Sequence, residues 1–145
     1  MSVSTAFFDQ LYAHNNDPWA FRERWYEQRK RAITLASLPR QHYPAIFEVG
    51  CANGELSAGL AQRTDWLLAC DTSAKAVQLA RQRLSDCANV EVRQNRVPEQ
   101  WPERSFDLIV ISEVAYYLDP KALEEMLELA LLSLAPDGQL LACHW

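Results

Sequence analysis

Ala45-Ile46-Phe47-Glu48-Val49-Gly50-Cys51-Ala52-Asn53-Gly54 is an apolar run that ends in a glycine-punctuated turn. A run this short and this apolar reads as a buried strand, and the glycines after it permit a tight turn and close backbone approach. A helix near 55–62 follows directly. Outward from this stretch the pattern repeats. Trp66-Leu67-Leu68-Ala69-Cys70 is a second apolar strand, closed by Asp71, and Thr72 or Ser73 caps a helix with Ala76, Val77, Ala80 and Leu84 on its apolar side. Val90-Glu91-Val92 is a short third strand, and Phe106-Asp107-Leu108-Ile109-Val110-Ile111 is a fourth, apolar enough to be covered on both faces. Asp119-Pro120 opens a helix striped by Leu123, Met126, Leu127, Ala130, Leu131 and Leu134. Pro136-Asp137-Gly138 then turns the chain into a fifth strand, 139–143.

Upstream, a short helix spans 4–13, with Phe7, Phe8, Leu11 and Tyr12 on one side. Asp17 caps and Pro18 starts a second helix that runs to about Leu38, where Pro39 ends it. Strands alternating with helices predict an α/β fold: a Rossmann-like, doubly wound, mostly parallel sheet with helices on both faces. The expected organisation is a single domain over 1–145, with residues 1–40 as a helical cap and 45–145 as the core.

Composition narrows the function. The 145 residues are 49% hydrophobic and 23% charged, which supports a buried core. A net charge of −5 argues against generic nucleic-acid binding, which needs clustered Lys and Arg. No apolar run approaches the ~18 residues of a membrane span, and the N-terminus lacks the basic and apolar regions of a signal peptide. Cys51, Cys70, Cys87 and Cys143 are irregularly spaced, and His14, His42 and His144 stand apart, so neither a metal site nor a disulfide framework is expected. Reduced, buried thiols in a cytoplasmic protein are the plain reading. Residues 1–40 carry six Lys/Arg, and 101–145 only two. The cluster Arg22, Arg24, Arg29, Lys30, Arg31 is either a solvated helix face or a cation source for an anionic ligand group.

In a doubly wound sheet, ligands bind beyond the carboxyl ends of the strands, where the strand order reverses. Four segments fall at such ends: the turn after Glu48, the acid Asp71, the stretch Gln94-Asn95-Arg96-Val97, and Ser112-Glu113-Val114-Ala115-Tyr116-Tyr117. A carboxylate at the second strand end suits ribose hydroxyls. The spacing of Gly50, Gly54 and Gly59 does not fit the dinucleotide fingerprint. Glu48, two residues before the turn, would repel a pyrophosphate but favour a sulfonium and an α-amino group.

These residues resemble the class I S-adenosylmethionine-dependent methyltransferases, and the group similar to nodulation protein S in particular. The resemblance rests on the turn motif at 48–54, Asp71, the fourth-strand motif 106–118 and the turn at 134–140. It also rests on Asp17-Pro18-Trp19, Tyr26-Glu27 with Lys30, Trp101-Pro102, and His144-Trp145. It implies S-adenosylmethionine as cofactor, S-adenosylhomocysteine as product, and a small-molecule acceptor with an amine nitrogen as one option. It further implies that Gly50, Cys51 and Gly54 line the methionine part through backbone, with Glu48 among the cofactor-binding residues. Asp71 then holds the ribose beside Thr72, Asn95 and Arg96 flank the adenine, and Ser112 and Glu113 lie near the methyl group. Trp19 and Tyr26 close over the cofactor, and Lys30 pairs with its carboxylate, Arg29 and Arg31 being rivals. Glu113 and His144 are the candidate catalytic bases. Relatives in this group continue with antiparallel strands that this chain lacks. A truncated or partner-dependent binding domain without catalysis is therefore the alternative expectation. A nicotinamide-dependent oxidoreductase is a third, disfavoured by the glycine spacing.

Overall fold

The computed structural model describes residues 2–145. The elements are α1 (Thr5–His14), α2 (Trp25–Ser37), β1 (Tyr43–Val49), α3 (Glu55–Ala61), β2 (Thr64–Asp71), α4 (Ala74–Arg83), β3 (Val90–Gln94), β4 (Phe106–Ser112), α5 (Pro120–Leu132) and β5 (Leu134–Cys143), with a short 3-10 turn at Ala115–Tyr117. The five strands are all parallel, in the order β3-β2-β1-β4-β5. The order runs one way from β1 to β3 and the other way from β4 to β5, so the reversal lies between β1 and β4.

Alternation along the strands sorts the core. Phe47, Val49, Leu68, Cys70, Ile109 and Ile111 point to one face, where Met126 and Ala130 of α5 cover them. Ile46, Leu67, Leu108 and Val110 point to the other, under Leu60 and Ala61 of α3, while Ala69 and Val92 meet Val77, Ala80 and Leu84 of α4. Burial of this kind is worth about 25 cal/mol per Å² of apolar surface and dominates the fold. Three helices start on side-chain caps: Ser4 accepts from the Phe7 amide, Ser73 from Ala76 and Asp119 from Ala122.

Four expectations change. The second helix starts at Trp25 rather than Pro18. The Asp17 carboxylate does cap, but it takes the amides of Phe21 and Arg22 at 2.9 and 3.0 Å, and Ala20 stands at φ +54°. That left-handed residue closes a turn that no helix can pass through. The third strand extends to Gln94, which pairs with Asp71. The fifth begins at Leu134, and Pro136-Asp137-Gly138 forms a bulge inside it, so the register jumps from Phe106↔Leu134 to Leu108↔Gln139. The apolar stripe of α5 is narrower than expected. Met126 and Ala130 are buried, whereas Leu127 and Leu131 are exposed, the latter by 61%. Among the described residues, no helix is long and apolar enough to cross a membrane. The four cysteines are free, with Cys51 and Cys70 buried and Cys87 and Cys143 half-buried.

Candidate functional site

A cleft of about 690 Å³ opens at the carboxyl ends of β1, β2 and β4, at the reversal point. The turn after β1 makes its floor. Gly50 has φ +69°, and a Cβ there would stand 2.4 Å from Val114 Cγ2, so only glycine lets the segment after β4 approach. The turn is stitched to the end of β2: the Cys51 amide donates to the Cys70 carbonyl at 2.8 Å, and the Ala52 amide to Asp71 Oδ2 at 3.0 Å. Ala52 holds the left-handed region at φ +50° to do so.

Asp71 is the fixed point of the cleft wall. Its second oxygen accepts from the Ser73 amide at 3.0 Å. Burial pushes its carboxyl above the ordinary range, and the amides of Ser73 and Ala52 oppose that push. Each oxygen keeps a lone pair after these bonds. Thr72 beside it shares a 2.6 Å hydrogen bond with Thr5 of α1. Asn95 and Arg96 line the same side of the cleft, Asn95 with its amide on the Asp71 carbonyl at 3.0 Å.

The opposite wall comes from the N-terminal segment. Trp19 lies edge-on to Tyr12 at 5.9 Å and close to Phe21. Tyr26 and Lys30 face the cleft from α2. Lys30 is already paired: its ammonium stands 2.8 Å from Glu27 and 3.3 Å from Glu113, with the Phe21 and Tyr26 rings within 6 Å. Of the rivals for its role, Arg31 lies in a small side pocket with Nη1 on the Phe21 carbonyl, and Arg29 lies over Trp25.

Ser112 ends β4 and lines the cleft, and Glu113 follows at φ +56°. Such a conformation in a non-glycine residue is strained and held by its surroundings. Here the carboxylate takes the Lys30 ammonium, the Tyr116 hydroxyl and the Trp145 amide. Burial pushes it up, but these donors outweigh burial and leave it below the usual carboxylate range. A carboxylate already taken by three donors serves as an anchor rather than a base. The expected role of His144 also changes. Its Nε2 accepts from the amides of Ala115 and Val114 at 3.1 and 3.4 Å, capping the 3-10 turn, and it does not line the cleft.

Three residues of the turn motif do not line the main cleft. Gly54, at φ +87°, packs against Ala80 and Leu84 of α4 and lines no pocket. Cys51 sends its side chain into the α4 cluster and borders only the small side pocket behind the turn. Glu48 borders that pocket too, is 2% exposed, and accepts a hydrogen bond from Ser57. Burial pushes its carboxyl up to about 8, so at neutral pH it is protonated and brings no negative charge to the turn. The E48Q variant keeps the acceptor and removes the ionisation. A folded value raised from 4.5 to about 8 means stability lost by the wild type as pH rises across that window. E48Q is therefore expected to gain on the wild type over the same window in urea titrations; a constant difference would refute the protonated assignment.

The sequence assigns no site role to Glu27, Asn53, Tyr12, Phe21 or Val114, all of which border the cleft or its side pocket. For Glu27 a signal was present, since Glu27 and Lys30 are three apart and share one helix face.

A family model for Nodulation protein S (NodS) matches residues 9–144. Nodulation protein S of Rhizobium tropici is 34% identical over 127 residues, which make up 86% of this chain and 53% of that protein. The Sinorhizobium fredii protein of the same name is 31% identical, over 86% of this chain and 58% of that one. The chain thus spans a little over half the length of these curated relatives. Among solved structures, a putative methyltransferase from Pseudomonas syringae is 63% identical, with a TM-score of 0.77 over 84% of this chain and 77% of that one. The N-methyltransferase NodS from Bradyrhizobium japonicum WM9, in complex with S-adenosyl-L-homocysteine, superposes with a TM-score of 0.89 at 27% identity, over 97% of this chain and 72% of that one. The strand order, the turn after β1 and these matches agree: the chain belongs to the Nodulation protein S family.

Proposed function

We propose that the protein transfers a methyl group from S-adenosylmethionine to a small-molecule acceptor, at an amine nitrogen. The observation that carries this reading is Asp71. It is held at the reversal point by the Ala52 and Ser73 amides, beside the Gly50 turn, and lines the cleft. That arrangement fits a ribose with two hydroxyls. The relative crystallised with S-adenosyl-L-homocysteine shares the fold over nearly the whole chain. Its description as an N-methyltransferase supports nitrogen as the acceptor and does not favour a binding domain without catalysis.

When bound, S-adenosylmethionine supplies a methyl carbon already activated by its sulfonium. The chain's residues then have to position two reactants and exclude water. In this reading Gly50 and its turn support the methionine part, and Asp71 with Thr72 holds the ribose. Asn95 and Arg96 border the adenine, and Trp19 and Tyr26 close the cleft from the N-terminal side. Ser112 and Glu113 border the transfer zone. Glu113 orients the acceptor amine, which attacks through its neutral lone pair; the S-adenosylhomocysteine thioether leaves, and the methylated nitrogen releases its proton to solvent. Residues 1–145 act as one domain, 1–40 capping the core. Four free cysteines agree with a cytoplasmic setting.

The test is a labelled-methyl transfer assay against panels of amine and hydroxyl acceptors, paired with calorimetry. Transfer to an amine supports the reading. A folded protein that binds neither S-adenosylmethionine nor S-adenosylhomocysteine at millimolar concentration refutes it.

A further inference from the structure

One polar group of the cleft wall has no partner. Tyr12 of α1 is 2% exposed and borders the cleft, with its ring edge-on to Trp19. Its hydroxyl enters none of the hydrogen bonds among the described residues; α1 is tied down through Ser2, Val3 and Thr5 instead. A buried tyrosine hydroxyl ordinarily finds a partner, and leaving one without is costly. Burial, then the carboxylate of Asp71, push its ionisation above the ordinary tyrosine range, so it stays a neutral donor. Its position is set by the helix. Thr5, Phe8 and Tyr12 recur at i, i+3 and i+7, so α1 lays one face along the cleft. Thr5 is anchored on Thr72, the residue after Asp71. Side chains on a helix lean toward its N-terminus, so the Tyr12 ring leans back toward that anchor.

We propose that Tyr12 is a ligand-binding residue, its hydroxyl donating to a ribose oxygen of the cofactor. The proposal rests on the methyltransferase reading above, with Asp71 on the same sugar. An ionised carboxylate only accepts. Asp71 can take the protons of two neighbouring hydroxyls, but it leaves their oxygens without a donor. Tyr12 supplies that donor from the N-terminal segment, opposite the acceptor supplied by β2. The cofactor's own carboxylate is the other acceptor a phenol could meet. It would lie where the carboxylates of Asp71 and Asp17 both act, and like charges oppose it. A sugar lacking the hydroxyl would then be refused twice, since Asp71 loses a donor and Tyr12 loses an acceptor. Tyr12 is thus a specificity residue for the cofactor and stands apart from the reacting atoms.

Calorimetry on the wild type and the Y12F variant tests this, with S-adenosylhomocysteine, its 2′-deoxy and 3′-deoxy analogues, and 5′-methylthioadenosine. Y12F keeps the ring on Trp19 and removes a hydroxyl without a protein partner, so the free variant should melt at or above the wild type. It is expected to bind S-adenosylhomocysteine about three- to tenfold more weakly, the scale of one neutral hydrogen bond. The loss should be the same for 5′-methylthioadenosine, which keeps the ribose and lacks the amino-acid part. For one of the two deoxy analogues, Y12F and wild type should bind alike, because the oxygen that Tyr12 meets is gone. A loss confined to S-adenosylhomocysteine would put the hydroxyl on the amino-acid end and overturn the proposal. So would an equal loss for all four ligands, unchanged affinity for all of them, or a free Y12F that melts well below the wild type, which would reveal a structural role. A folded wild type that binds none of the four overturns the methyltransferase reading as well, whereas one that binds them without the selective loss in Y12F overturns the proposal alone.

Discussion

The Gly50→Ala variant is expected to lose stability on two counts. An alanine at φ +69° costs about 1–3 kcal/mol of backbone strain. Its methyl group would also stand 2.4 Å from Val114 Cγ2, and overpacking of this kind costs about 1–3 kcal/mol more. A urea titration should show the combined loss, and ligand affinity should fall with it, because the floor of the cleft has moved. The second count can be separated from the first. Adding Val114→Ala removes the clash and leaves the strain, so the double variant should regain part of the loss relative to the sum of the single changes. A Gly50→Ala protein that melts with the wild type would mean that the turn and the segment after β4 do not approach as described.

Asp71 should show a different signature, because it serves both the fold and the ligand. Asp71→Ala strips the acceptors from the Ala52 and Ser73 amides. It should weaken S-adenosylhomocysteine binding by about 1–3 kcal/mol and lower the melting temperature too. Asp71→Asn keeps one acceptor oxygen and removes the charge. Burial raises this carboxyl above its ordinary value. Its stabilising contribution is therefore full below the unfolded-state value and is lost as pH rises through the folded one. Asp71→Asn sets an NH2 donor against either the Ala52 or the Ser73 amide, so it should also melt below the wild type, by less than Asp71→Ala, while binding poorly. For the wild type, affinity should fall as pH drops through the raised value, since a protonated carboxyl has lost an acceptor. Equal affinity in the Asn variant and the wild type would remove Asp71 from the ribose role.

The strands and their ends were legible in the sequence because each signal there is local. An apolar run followed by a glycine turn, an acid at a strand end and Asp119-Pro120 before a helix all act within a few residues. The start of α2 was not legible. Asp17-Pro18 reads as a helix start, and only the left-handed Ala20 shows that the chain turns first. Partners across the fold were harder still. Lys30 reads as a free cation on a helix, but its two carboxylates come from one turn upstream and from the end of β4. Glu48 reads as a charge until its burial, at 2% exposure, is seen. His144 reads as a base until its Nε2 is found on the Val114 and Ala115 amides. In each case the residue type was informative and its protonation or pairing was set by distant chain.

The N-terminal strap has a kinetic consequence. Ser2, Val3, Thr5 and Phe8 help wall the cleft, yet α1 adds nothing to the sheet. It is held by the Thr5–Thr72 hydroxyl pair, the Val3 amide on the Tyr117 carbonyl, Ser2 on Asp119, the Phe8 ring against Tyr117, and the buried Tyr12 ring against Trp19. Terminal segments outside the sheet open at a fraction of the global unfolding free energy, on timescales of about microseconds to milliseconds. The residence time of anything in the cleft is then set in part by a handful of contacts remote from the strand ends. A turnover limited by release would be slowed or quickened at Thr5 and Phe8, with the reacting groups untouched.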